Sequence, residues 1–119
     1  AYLMAAEAIL RGASGASKSK AVEYVNTVRT RAFTGTAGNI TENELTLDFM
    51  LDERARELYW ECHRRTDLVR FNKFTTGSYL WAWKGGVSQG QAVDPKYNIY
   101  PIPSADISAN PKLTQNPGY

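Results

Sequence analysis

Apolar and polar positions follow a helical period over the first part of the chain. Residues 1–11 carry Glu7 as the only charged side chain before Arg11, and this pattern predicts a helix buried on most sides. Residues 18–32 predict a second helix, because apolar residues recur there at intervals of three and four. Those residues are Ala21, Val25, Val28 and Ala32. A short polar turn separates the two stretches, so residues 1–33 are expected to form an antiparallel helix hairpin.

Residues 41–73 predict one long amphipathic helix. Thr41 and Glu44 have the spacing of a capping box, and the helix is expected to run from about Glu44 to Phe71. An apolar stripe recurs at helical spacing while the other faces are charged, so packing of the stripe rather than surface ion pairs should hold the helix. The stripe comprises Leu47, Met50, Leu51, Leu58, Cys62 and Val69.

The chain changes character after Lys73, where glycine, proline, asparagine and aromatic residues dominate. Proline disfavours helix at the residue before it, so residues 97–103 are expected to be extended. Residues 104–110 predict one short helical turn, capped by Ser104 and ended by the proline that follows. The predicted fold class is therefore mainly α. It combines the hairpin, the long helix, and an irregular proline-, glycine- and aromatic-rich segment over residues 74–119 that wraps the helices.

Composition limits the possible functions. The 119 residues suffice for one domain, and the net charge of +2 comes from basic residues interspersed with acidic ones, which argues against a nucleic-acid surface. A single cysteine excludes an internal disulfide, and no apolar run is long enough to span a bilayer. Because the chain starts inside a helix without an initiator methionine or a cap, we expect a piece of a longer protein whose targeting segment lies upstream.

Charged side chains on the long helix are the first candidates for chemistry. Glu53 and Glu57 are one turn apart, but glycoside hydrolysis needs two carboxylates across a substrate cleft. Two residues on one helix face offer no cleft, so no catalytic residue is assigned. We expect polar side chains of this helix to bind the covered backbone of the C-terminal segment instead. These side chains are Glu57, Glu61, Arg64 and Asp67.

The remaining titratable residues indicate structural roles. Glu7 lies in the most apolar helix, where a buried carboxylate needs a cation, and Arg29 or Arg31 of the next helix is the expected partner. Cys62 and His63 point about 100° apart on a helix, so they form no nucleophile–base pair, and one of each makes no zinc site. Because no calcium loop or phosphate-binding glycine motif occurs either, no metal or cofactor is predicted.

Aromatic residues over 79–83 are the candidate ligand contacts. Indole and phenol rings suit the apolar faces of sugar rings, since they combine flat apolar area with a polar edge. If this stretch is extended, Trp81 and Trp83 point to the same side. Tyr79, Trp81 and Trp83 are therefore candidates for sugar stacking. The alternative is that they pin the irregular segment to the helices.

Two blocks of residues resemble the SusD/RagB family in their order and spacing. The first block, on the long helix, comprises Glu53, Arg54, Glu57, Leu58, Glu61, Arg64, Asp67, Leu68 and Arg70. The second block, at the C-terminal end, comprises Tyr100, Pro101, Ile102, Pro103, Asn110, Pro111, Leu113, Gln115, Asn116, Pro117, Gly118 and Tyr119. The resemblance also extends, less specifically, to the hairpin. This chain departs from the family at Cys62 and Asn72, which replace glycines, and at Arg65 and Thr66, which replace an aromatic pair.

The resemblance implies a function and a location. Members of this family are mostly helical proteins with tetratricopeptide-like pairs, lipid-anchored at the outer face of the outer membrane. They capture glycans for a SusC-like TonB-dependent transporter and are not catalysts; the lipid anchor would lie outside residues 1–119. Residues 78–86 resemble the starch-system branch, in which the aromatic arc is expected mostly upstream. A peptide- or protein-binding helical-repeat module is the alternative. No group of residues in the sequence supports a third possibility, a small enzyme.

Overall fold

A computed structural model describes residues 1–119 and contains α-helices and 3-10 turns but no strand, which confirms the mainly α prediction. The helices are α1 (Tyr2–Leu10), α2 (Lys18–Ala32), α3 (Leu47–Glu57), α4 (Arg64–Arg70) and α5 (Ser104–Ala109). Short 3-10 turns occur at Thr36–Gly38, Lys84–Gly86 and Pro95–Asn98. None of the helices has the length and hydropathy that crossing a membrane requires. The chain divides into a first unit, Ala1–Arg64, and a second unit, Arg65–Tyr119.

Helices α1 and α2 form the predicted hairpin. The α2 bounds agree with the sequence pattern, because Ser17 caps the helix by accepting a hydrogen bond from the Lys20 amide. Ala6 and Ala21 are fully buried, and these small side chains let the two helices approach closely. The prediction that α1 is buried on most sides is wrong for this chain. Tyr2 and Met4 are 50% and 66% exposed, because only one face of α1 meets α2 and α3.

The third helix begins later than predicted. The Thr41 amide and hydroxyl both donate to the Glu44 carboxylate, at 2.8 and 2.7 Å, but this pair closes a turn rather than starting the helix. Thr46 is the cap of α3, since its side chain accepts from the Phe49 amide at 3.0 Å. Buried Leu45, Met50 and Leu51 then carry the α3 contribution to the core of the first unit.

The single long helix predicted over residues 44–71 is instead two helices, α3 and α4. Helix α3 ends with Leu58 as its C-terminal cap, and Trp60 and Cys62 have left-handed backbone angles, with φ of 69° and 59°. A residue in this region cannot continue a right-handed helix, so the chain turns before α4. Cys62 is consequently exposed and does not lie on the buried stripe where the periodicity placed it.

The second unit combines α4 with the irregular segment. Asn72 ends the α4 turn with φ of 55°, and the Lys73 amide donates back to the Leu68 carbonyl at 2.7 Å. The extended conformation predicted for residues 97–103 applies only from Ile99 onward, because Pro95–Asn98 forms a 3-10 turn capped by Asp94. Helix α5 occupies the predicted position, but Ser104 is its first residue and makes no side-chain cap.

Candidate functional site

A groove of about 300 Å³ lies on the second unit and has mainly aromatic walls. Phe74 and Trp81 form one part of the wall, with ring centroids 6.3 Å apart and planes inclined by 26°. Tyr97 and Tyr119 form another part and meet edge to face at 6.5 Å. Tyr100 adds a further ring. Residues distant in sequence thus assemble one concave apolar surface.

Lys84 organises the loop that carries Trp81. Its side chain is buried, and Nζ donates to the carbonyls of Lys73, Thr76 and Tyr79 at 3.2, 2.5 and 2.8 Å. The same nitrogen lies 4.6 Å from the centre of the Trp81 ring. Burial lowers the pKa of Lys84 below its usual value, while the three carbonyls provide the partners that a buried ammonium requires.

Close backbone packing also fixes the position of Trp81. Gly90 has φ of 76°, and a Cβ added there would lie 2.4 Å from the Trp81 carbonyl oxygen. Only glycine fits this left-handed turn without displacing the chain. The loop between α4 and residue 93 is closed by the Val93 amide, which donates to the Thr75 carbonyl at 2.9 Å.

Arg65 lies at the inner side of the groove. Its Nη2 donates to the Tyr97 carbonyl at 2.7 Å, and its guanidinium carbon lies 4.0 Å from the ring centre of Tyr100 and 4.9 Å from that of Phe74. The guanidinium therefore joins α4 to the C-terminal segment through one hydrogen bond and two cation–π contacts.

The second signature block holds the C-terminal segment in place. The Gln115 side-chain amide accepts from the Ile102 amide and donates to the Ile102 carbonyl, at 2.8 and 2.9 Å. Asn116 Nδ2 donates to the Tyr100 carbonyl at 2.7 Å, and the Tyr119 hydroxyl donates toward the Ile99 carbonyl at 3.0 Å. Pro101 lies in the stretch so bound, Pro103 and Asn110 flank α5, and Pro117 is in the turn with Gly118. At that turn Gly118 has φ of 89° and a Cβ would meet Lys96 at 3.1 Å.

The α3 part of the first signature block forms ion pairs within the first unit. Glu53 is buried and binds Arg29 at 2.6 Å and Arg56 at 2.7 Å. Glu57 binds Arg31 at 2.5 Å. The two carboxylates are thus engaged by arginines, and α3 is tied across the hairpin to α2.

The partners of several charged residues differ from the sequence predictions. Glu7 is buried as predicted, but it binds Arg11 at 2.8 Å and lies 3.9 Å from Arg54, because Arg29 and Arg31 face α3 instead. Arg64 donates to the Leu51 carbonyl at 2.9 Å, and Asp67 accepts from Arg70 at 2.9 Å. Glu61 is exposed. Binding of the C-terminal segment by these long-helix residues stays a prediction, whereas Arg65 does bind that segment.

The three aromatic candidates occupy different environments. Trp81 lines the groove and is 38% exposed, whereas Trp83 has a left-handed φ of 68° and is 69% exposed outside it. The Tyr79 carbonyl accepts a hydrogen bond from Lys84, and the Tyr79 side chain is half-buried. Sequence reasoning missed Arg65, Phe74, Tyr97 and Tyr119 as groove residues. The many aromatic residues of the C-terminal segment indicated that some of them could form a site. The hydrophobic pattern did not predict which turns would bring these residues together.

The second depression and the remaining titratable residues do not form a further candidate site. A second depression, of about 330 Å³, lies on the first unit between Tyr2, Met4, Val28 and Leu58, with the Arg31–Glu57 ion pair at its edge. No group of three or more histidine, cysteine, aspartate and glutamate side chains is placed to hold a metal ion.

The fold is all-helical and begins with a helix hairpin. The second unit carries an aromatic groove. A profile of the SusD family matches residues 1–119. The chain therefore belongs to the SusD family.

Individual relatives agree with this assignment. The chain is 48% identical over 120 residues to the starch-binding protein SusD of Bacteroides thetaiotaomicron, covering 100% of this chain and 20% of that protein. It is 32% identical over 124 residues to SusD-like protein P25 of Formosa agariphila, covering 97% and 22%. The chain thus spans about a fifth of the length of these relatives.

Solved structures give the same result for the fold. Surface glycan-binding protein A from Bacteroides thetaiotaomicron matches with a TM-score of 0.74 and 32% identity, covering 98% of this chain and 22% of that one. A SusD superfamily protein from Bacteroides vulgatus matches with a TM-score of 0.74 and 33% identity, covering 99% and 26%.

Proposed function

We propose that this chain is part of a glycan-capture protein that binds polysaccharide without altering it. The observation that carries the proposal is the match to the starch-binding protein SusD, which is 48% identical across the whole of this chain. The second unit adds a feature suited to the same ligand class, because its groove presents aromatic rings to solvent. Starch or a related glucan is the proposed ligand.

The arrangement of the carboxylates supports a non-catalytic role. Glu53 and Glu57, the pair that could have suggested hydrolysis, are bound by Arg29, Arg56 and Arg31. Both carboxylates lie on α3 and are occupied by arginine side chains, so they are not placed across a substrate cleft as glycoside hydrolysis requires.

The family membership supports a location and a partner for this function. The proposed location is the outer face of the outer membrane, with a lipid anchor outside residues 1–119. The proposed partner is a SusC-like TonB-dependent transporter that receives the glycan. Purification of the intact protein from solubilised outer membranes, with the transporter retained on it, would test this part.

Affinity electrophoresis tests the binding function. The intact protein is run through native gels containing amylopectin, pullulan, xylan or no polysaccharide. We expect retardation in amylopectin or pullulan and no release of reducing ends. Retardation in none of the gels would refute the proposal, and release of reducing ends would refute the non-catalytic role. Selective retention on immobilised peptides would favour the peptide-binding alternative.

A further inference from the structure

We infer that the aromatic groove of the second unit is itself a sugar subsite, for one or two neutral pyranose units, with Trp81 as its stacking platform. The inference takes its ligand class from the proposed function. It assigns the contact to Trp81 and the surrounding rings, rather than to a ridge formed by Tyr79, Trp81 and Trp83.

The shape and lining of the groove suit a small sugar. Its volume of about 300 Å³ lies at the lower end for small-ligand pockets. Trp81, Tyr97 and Tyr119 are 38%, 46% and 42% exposed, so their rings are partly free to receive a ligand. A pyranose ring has an apolar C–H face that can lie on an indole, and the phenol oxygens of Tyr97 and Tyr119 can accept hydrogen bonds from sugar hydroxyls.

Trp81 is held in place before any ligand arrives. Phe74 packs beside its ring, the buried Lys84 ammonium lies 4.6 Å from the ring centre, and Gly90 approaches its carbonyl. A platform fixed by its own neighbours loses little conformational entropy on binding, which favours affinity for a small ligand.

The charges of the groove favour a neutral ligand. Arg65 and Lys84 are the charged residues among its lining, and no carboxylate is present there to attract a cation. Both cations are already engaged, Lys84 by three carbonyls and Arg65 by the Tyr97 carbonyl and two rings. Neither is therefore set up to serve as the counter-ion of an acidic sugar.

Fluorine NMR can test the site residue by residue, because the chain contains only three tryptophans. The intact protein is labelled with 5-fluorotryptophan, and the Trp60, Trp81 and Trp83 signals are each assigned from a Trp→Phe variant. On titration with maltotriose we expect a saturable shift of the Trp81 signal and no shift of the Trp60 signal. Trigalacturonate, matched in length but acidic, is expected to bind more weakly.

Variants supply the matched controls. Trp81→Ala should weaken maltotriose binding about tenfold, whereas Trp60→Ala should leave it unchanged. Trp81→Phe keeps an apolar ring and should give an intermediate affinity. Unchanged Trp60 and Trp83 signals in each Trp81 variant will show that the fold is retained.

Specific results would overturn the inference. A silent Trp81 signal would remove the subsite, a larger response at Trp83 would place the contact outside the groove, and tighter binding of trigalacturonate would refute the neutral ligand. These outcomes are separable from failure of the proposed function. If amylopectin retards the intact protein but the Trp81 signal does not shift, only the subsite is refuted. If no polysaccharide retards the protein, the proposed function is refuted whatever the Trp81 signal does.

Discussion

Side-chain amides replace missing backbone pairing in both units. Asn26 accepts from the Ile40 amide at 2.8 Å and donates to the Ile40 carbonyl at 2.9 Å. Gln115 makes the same pair of bonds with Ile102. A planar amide has a donor and an acceptor at the spacing of a peptide group, so one residue can satisfy both backbone groups of an irregular stretch.

Two residues at which the family resemblance implies glycine have left-handed backbones. Cys62 and Asn72 have φ angles of 59° and 55°. Glycine adopts this conformation without steric cost, whereas other residues pay about 1–2 kcal/mol, and asparagine tolerates it better than most. A glycine at either position would fit the observed backbone angle without strain.

Cys62→Gly should stabilise the chain. Relief of the left-handed strain, reduced by the greater freedom of glycine in the unfolded state, is expected to raise the free energy of unfolding by up to about 1 kcal/mol. Asn72→Gly should raise it by less. Urea denaturation measures both, with Cys62→Ala as the control that keeps the strain. A destabilised Cys62→Gly variant would contradict this explanation.

The Thr41–Glu44 turn should respond to acid. Hydrogen bonds from the Thr41 amide and hydroxyl lower the pKa of Glu44 below its usual value of 4.5. A carboxylate with a depressed pKa stabilises the folded state above its usual pKa, and this contribution is lost as pH falls through the lower, folded value. The Thr41 amide shift in an NMR titration should therefore have its midpoint below 4.5. A midpoint at or above that value would exclude the hydrogen bonds in solution.

At the scale of elements, one ammonium group binds three carbonyls of the loop after α4. These carbonyls belong to Lys73, Thr76 and Tyr79, so a single side chain bridges three points of a stretch that contains no regular structure. Loops of this kind have few other ways to satisfy covered carbonyl groups.

Lys84→Met should open this loop. Methionine preserves much of the apolar stem but leaves the three carbonyls without their donor, which is expected to cost about 2–3 kcal/mol in the free energy of unfolding. Trp81 should become more exposed, with a red shift of fluorescence emission. Lys96→Met provides the control, since its Nζ makes one hydrogen bond, to the Gly118 carbonyl, and cation–π contacts with Tyr97 and Tyr119. Its loss should cost less than the loss of Lys84. Equal effects of the two variants would argue against the role of Lys84.

For the whole molecule, the ion pairs of the first unit and the proposed sugar subsite involve different residues. The arginine–carboxylate network around Glu53 ties α2 to α3, whereas the aromatic groove is formed by residues of the second unit. Family signature residues therefore need not contact a ligand; those of the first block that are described above serve the fold.

Glu53→Gln should separate the two properties. Loss of the buried charge leaves Arg29 without its carboxylate partner, and we expect the free energy of unfolding to fall by about 3 kcal/mol. Maltotriose affinity, measured at a temperature where the variant remains folded, should not change. Glu23→Gln, in an exposed pair with Lys20, should have little effect on stability. Weakened sugar binding by folded Glu53→Gln would show that the two properties are linked.

The sequence predicted elements better than their connections. Helix α2 was predictable because Ser17 and a regular apolar face lie within one stretch of chain. The break after Leu58 was not, since helical spacing of apolar residues continues across Trp60 and Cys62 although their backbones are left-handed. Ion-pair partners such as Glu7–Arg11 depend on how helices rotate against each other. Trp81 was identified from ring chemistry alone, but Arg65 enters the groove only through the tertiary fold.

The clamp formed by Gln115, Asn116 and Tyr119 concentrates much of the groove's support in residues 115–119. Deletion of residues 115–119 would remove one groove ring and release residues 99–102 while leaving every helix intact. Circular dichroism would change little, whereas the proposed sugar subsite would lose part of its wall. Helix content therefore does not report on the state of this groove.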